Sequence, residues 1–182
     1  MHLRVPFLLR RLAPIVASIA IACLVIAPDA ALAHAPIFLG DGSTTPDEAM
    51  PLGDPSSPGL IYGTLQPGGA QYVSFAIDAS TPFHAMVLRA LRSDALNPGL
   101  AIVGPGLGDP SAAPFAVPDG DGVLLLTPPA QAVPIFIADL GLRFIAGAGF
   151  DGDMPQTGSY FLVIYSADGN GGDYSVGTGY GA

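Results

Sequence analysis

Short runs of Val, Ile, Tyr and Phe recur along this chain, each closed within a few residues by Gly, Pro, Asp or Ser. Gly and Pro cost a helix interior about 1–3 kcal/mol each but supply the backbone angles that turns need, so this punctuation belongs to strands and turns. With 24 Gly and 19 Pro in 182 residues, a helical bundle is excluded. The runs at 60–65, 71–77, 83–90, 100–103, 123–127, 134–137, 143–146, 160–166 and 174–178 are the expected strands. Eight to nine such strands predict an all-β chain, a β-sandwich of jelly-roll type. Within 71–77, Val73, Phe75 and Ile77 fall on one face, the alternation of a sheet with one side in the core. The run 160–165 is apolar on both faces, which predicts a central strand covered by a second sheet on one side and by loops on the other. Residues 34–58, with Pro46, Pro51, Pro55 and Pro58, read as an irregular N-terminal wrap, leaving 59–182 as the sandwich domain. Residues 104–122 read as a long excursion between strands.

Residues 1–33 have the layout of a secretory signal peptide. Arg4, Arg10 and Arg11 precede an apolar stretch at 15–26, and Ala31-Leu32-Ala33 offers the small-x-small pattern of a cleavage site. Pro14 and Pro28 leave a span shorter than the roughly 20 residues a membrane crossing needs, so no integral span remains after cleavage. The predicted location is exported, periplasmic or extracellular. Cleavage after Ala33 makes His34 the first residue, whereas cleavage after Ala35 removes it. The sequence contains no Lys, and its only Cys, Cys23, lies within the signal. The exported chain therefore has no thiol for a disulfide, a nucleophile or a zinc site. It retains Arg89, Arg92 and Arg143 against fourteen acidic residues, a net charge of −11. Nucleic acids and anionic membranes are poor partners for such a chain, since both are bound by neutralising phosphates.

The closing strands resemble a known family. Gly158-Ser-Tyr160-Phe-Leu162-Val-Ile164-Tyr followed by Gly172-Asp-Tyr174-Ser-Val176 is similar to the end of bacterial pre-peptidase C-terminal (PPC) domains. Their pattern is Gly-x-Tyr-x-Leu-x-Val, a turn, then Gly-x-Tyr-x-Leu. Gly63-Thr-Leu65, Ala70-Gln-Tyr72-Val-Ser-Phe75 and Leu100-Ala-Ile102-Val-Gly104-Pro-Gly106 are similar to the family's earlier strands. The resemblance implies a small, non-catalytic β-sandwich of a secreted protein, here free-standing, with 119–145 as an insertion. Independently of it, Tyr at the start of each closing strand offers a large apolar ring with a hydroxyl able to reach a loop backbone.

Two constellations could hold a metal. His34, if N-terminal, would offer an amine and an imidazole to copper, with His84 as a third nitrogen, and this requires the two residues to converge. Asp168-Gly-Asn170-Gly-Gly-Asp173 places oxygen ligands on a Gly-rich turn, as Ca²⁺ prefers, and Asp119-Gly-Asp121 and Asp151-Gly-Asp153 are similar. Asp-Gly is equally the chemistry of a solvated hairpin turn. Gly147-Ala-Gly149-Phe-Asp-Gly152 matches a dinucleotide fingerprint only formally, having no helix after it, and reads as a loop. There is no Gly-x-Ser-x-Gly elbow, and the absence of Lys removes Walker and Schiff-base chemistry. The expected function is therefore that of an exported, non-catalytic binding or envelope-associated protein, its partner a protein or a cell-envelope polysaccharide. The alternative is a metal protein, with copper at His34 and His84 or calcium at Asp168, Asn170 and Asp173.

Overall fold

The computed structural model describes residues 35–40, 42–78, 81–90, 96, 98–129, 131, 133–138 and 141–179. Residues 1–33, expected from the sequence to be a signal, and His34 lie outside the described residues. Eleven strands are found among them: β1 (Ala35–Phe38), β2 (Met50–Pro51), β3 (Gly59–Leu65), β4 (Ala70–Ile77), β5 (Pro82–Ala90), β6 (Gly99–Gly104), β7 (Gly122–Leu126), β8 (Val133–Ile137), β9 (Leu142–Asp153), β10 (Gly158–Tyr165) and β11 (Gly172–Thr178). They form a six-stranded sheet of order β1-β3-β11-β5-β9-β8 and a five-stranded sheet of order β2-β4-β10-β6-β7. The fold is an all-β sandwich, as the sequence predicts. Single turns of 3-10 helix lie at Pro46–Glu48 and Pro110–Ala112, and no helix among the described residues is long and apolar enough to cross a membrane.

The period-two alternation directs one set of side chains into the space between the sheets. Val73, Phe75 and Ile77 of β4 meet Ile61, Leu65, Phe83, Ala85, Val87 and Val176 of the opposite sheet. Phe75 stacks on Phe83 with ring centroids 4.2 Å apart, joining the two layers. In β10, Tyr160, Leu162 and Ile164 enter this core, while Phe161, Val163 and Tyr165 point the other way into a second apolar cluster. The Tyr160 hydroxyl donates to the carbonyls of Pro105 and Gln156, at 3.0 and 2.7 Å, so the expected reach to a loop backbone is present.

The N-terminal segment is more regular than its prolines imply. β1 pairs in parallel with β3, and β2 pairs in parallel with β4, so 35–58 contributes one edge strand to each sheet and is not merely a wrap. Strands of four and two residues whose parallel partners are remote in sequence leave no local pattern to read. Gln71 fixes the crossover between the sheets. Its buried amide donates to the carbonyls of Gly40 and Gly42, at 2.9 and 3.3 Å, and its Oε1 accepts from the Tyr174 hydroxyl at 2.8 Å.

The expected strand at 143–146 is longer than predicted, and the loop reading of 147–152 is corrected: both belong to β9, as does Asp151-Gly-Asp153. The pairing of β5 with β9 shifts register between Met86 and Leu88, which places a bulge at Gly147 and Ala148. A Cβ at Gly147 would sit 2.8 Å from the Val87 Cβ. Glycine here allows the bulged strand to lie against its neighbour, as it does at many strand irregularities.

Candidate functional site

The two sheets treat their outward faces differently. The five-stranded sheet is sealed by the excursion 104–122, whose Ala113, Phe115 and Val117 pack on Tyr72, Val103, Val123 and Val163. The Tyr72 hydroxyl donates to the Ala116 carbonyl at 2.9 Å, and Phe115 meets the Tyr72 ring edge-on. Excursion and β7 are also bridged at Gly108 and Val123. The expectation that loops cover the second face of β10 is met by this segment.

The four exposed large apolar side chains found among the described residues all lie in the six-stranded sheet. Phe38 (69% exposed) is on β1, Val133 and Phe136 on β8, and Leu142 on β9. Register places Phe38, Tyr62, Ser175, Leu88, Ala146 and Val133 in one transverse row across all six strands. At about 4.8 Å per strand the row is about 24 Å long. Phe38, Tyr62, Ser175 and Leu88 alternate away from the core residues of their strands, and Ala146 and Val133 share their face through direct pairing, so the row runs over the outward face.

Two adjoining clefts follow this row. One, of about 300 Å³, is bordered by Phe38, Tyr62, Thr64 and Asp173. The other, of about 270 Å³, is bordered by Tyr62, Leu88, Arg89, Phe144, Asp173 and Ser175. Tyr62 and Asp173 border both, so the two are halves of one trough. Phe38 stacks on Tyr62 with centroids 5.4 Å apart and planes 19° from parallel, bracing the ring that stands between the halves. Thr64 Oγ1 donates to Asp173 Oδ1 at 2.7 Å and orients that carboxylate. Ser175 Oγ donates to the Leu88 carbonyl at 2.9 Å.

Of the residues singled out as metal ligands, His34 lies outside the described residues. His84 is half-buried on the outward side of β5, opposite Asp151 of β9, and neither of these two is without a partner. Ala35, the first described residue, shares a transverse row with Gly59, Thr178 and Ala85, three strand spacings or about 14 Å from β5. Asp168 turns back to accept from the backbone N–H of Asn170 at 3.0 Å, hydrogen bonding from the Asn170 side chain and backbone holds the Asp168 carboxyl below its usual range, and the Asn170 carbonyl accepts from Ser166 Oγ. Asp173 belongs to β11 and engages Thr64 of β3. His84 lies near the far end of β5 from the Asp173 level, six residues or about 20 Å along the strand. Among the described residues no three His, Cys, Asp or Glu side chains gather as a metal site.

Sequence reasoning singled out Asp173 but missed Phe38, Tyr62, Thr64 and Ser175. Their neighbourhood is created by register between strands from opposite ends of the chain, and no spacing within the sequence encodes it. The chain matches no family model and no curated protein, so the functional reading rests on this geometry.

Proposed function

We propose that the protein is an exported, non-catalytic binding module associated with the cell envelope, a free-standing sandwich of PPC type, whose ligand occupies the outward face of the six-stranded sheet. The observation that carries the proposal is the contrast between the faces. One is closed by a dedicated segment with its own apolar cluster, while the other presents a trough walled by aromatic rings. Ligand sites combine apolar walls with a few oriented polar groups, and Tyr62, Leu88 and Phe144 with Asp173, Thr64 and Ser175 are such a set. The signal-like segment and the acidic, thiol-free exported chain support the location.

Co-sedimentation with insoluble envelope material from the producing cells tests the proposal. The wild-type protein is expected in the pellet, and Phe38→Ala combined with Tyr62→Ala is expected to reduce the bound fraction about ten-fold, a loss of about 1.4 kcal/mol. Equal sedimentation of both proteins would refute the assignment of the face. Turnover of a substrate that is lost on His84→Ala would refute the non-catalytic reading.

A further inference from the structure

We infer that the ligand of this face is a neutral, hydroxyl-rich polysaccharide chain lying across the strands, with Tyr62 and Asp173 at the centre of its footprint; the inference rests on the preceding reading that the face binds. Direction is the first argument. The trough extends from Phe38 on β1 to Phe144 on β9, four strand spacings or about 19 Å, perpendicular to the strands. Along most of that path β3, β11, β5 and β9 are each paired on both sides, so their backbone groups are committed to the sheet. A peptide adding as a strand needs a free sheet edge, and the one edge on this path, β1, would hold it parallel to the strands and not across them. Recognition therefore falls to side chains, and the length calls for a linear ligand of several units.

Chemistry is the second argument. A pyranose ring has an apolar C–H face and a rim of hydroxyls. Phe38 and Tyr62 supply aromatic surface for the first, with Phe144 at the far wall. The Asp173 carboxylate, the hydroxyls of Thr64 and Tyr62, and Arg89 supply acceptors and donors for the second. Charge is the third. Arg89 is the one described cation bordering the trough, Asp173 borders the same cleft, and the exported chain carries −11 overall. That balance repels polyanions and leaves a mixed donor and acceptor set suited to a neutral polyol.

Titration calorimetry of the exported protein is the test, with neutral hexasaccharides of glucose, N-acetylglucosamine, xylose and mannose as probes, and polygalacturonate and polylysine as charged controls. At least one neutral hexasaccharide is expected to bind, with its monosaccharide about ten-fold weaker or more. Phe38→Ala, which removes an exposed ring and should not disturb folding, is expected to weaken binding about ten-fold, and Phe136→Ala, outside the trough, less than about two-fold. Absence of binding to every neutral probe, or binding indifferent to Phe38→Ala, would overturn the inference. If a charged control alone binds and Phe38→Ala abolishes it, the face binds but not a neutral glycan. If nothing binds and envelope sedimentation is also indifferent to Phe38, the proposed function fails with it.

Discussion

Replacing Tyr174 by Phe removes one oxygen atom from the buried link between the sheets and should be felt twice. The Tyr174 hydroxyl donates to Gln71 Oε1 at 2.8 Å, and the same amide anchors the crossover from β1 to β2 through Gly40 and Gly42. Phe keeps the ring and its packing but leaves a buried acceptor without its donor, at a cost of about 1–3 kcal/mol. For a domain of this size about 2 kcal/mol lowers the melting midpoint by about 4–8 °C. The second effect is alkaline. Burial pushes the Tyr174 hydroxyl well above its ordinary value of 10.0, so the folded state holds a proton that the unfolded state releases near pH 10. Its stabilisation is therefore complete below about pH 10 and declines as pH rises beyond it, by up to about 1.4 kcal/mol per pH unit. Tyr72 and Tyr165 are also raised by burial and contribute to the slope in both proteins. Urea unfolding of wild type and Tyr174→Phe from about pH 7 to about pH 11 should give curves separated by about 2 kcal/mol at neutral pH that converge in alkali. Equal stabilities at neutral pH with parallel alkaline limbs would refute the burial and bonding assigned to Tyr174.

Phe75→Asp places an unpaired carboxylate against Phe83 and Tyr160, and because that costs several kcal/mol against a total of about 5–15, no cooperative melt should remain. A normal melt would show that the strand face is assigned wrongly. Phe115→Ala should loosen the excursion from Tyr72 and Tyr165 at about 1–2 kcal/mol, detected as faster amide exchange at Val123, whose N–H donates to Gly108. Unchanged exchange there would mean that the excursion is held by something other than its aromatic contacts. EDTA should leave the melting midpoint unchanged, because the Asp168 carboxylate caps its own turn and Asp173 engages Thr64; a drop of about 4 °C or more would establish a structural calcium ion.

The parts of the fold legible in the sequence are those determined by alternation within one strand. Val73, Phe75 and Ile77 identify a core face by themselves, and the two apolar faces of 160–165 predict a strand buried on both sides. Tyr160, at the head of its strand, predicts the bond to loop carbonyls that is observed. What escapes the sequence is set between strands. β1 and β2 owe their existence to parallel partners, and β9 runs on through Gly147, where Val87 leaves no room for a side chain. The trough follows the same rule. Phe38, Tyr62 and Ser175 lie side by side only once three strands align, so the residues that best support a function are the least visible to spacing or motif.

Hydroxyl-radical footprinting of the aromatic side chains, with and without the polymer that sediments the protein, tests directly where the ligand lies. Bound protein should show protection at Phe38, Tyr62 and Phe144, with Phe115 and Phe136 reacting as they do in the free protein. Protection confined to Phe115 and the five-stranded side, or no protection at Phe38 and Tyr62 in the bound state, would contradict a ligand on the outward face of the six-stranded sheet.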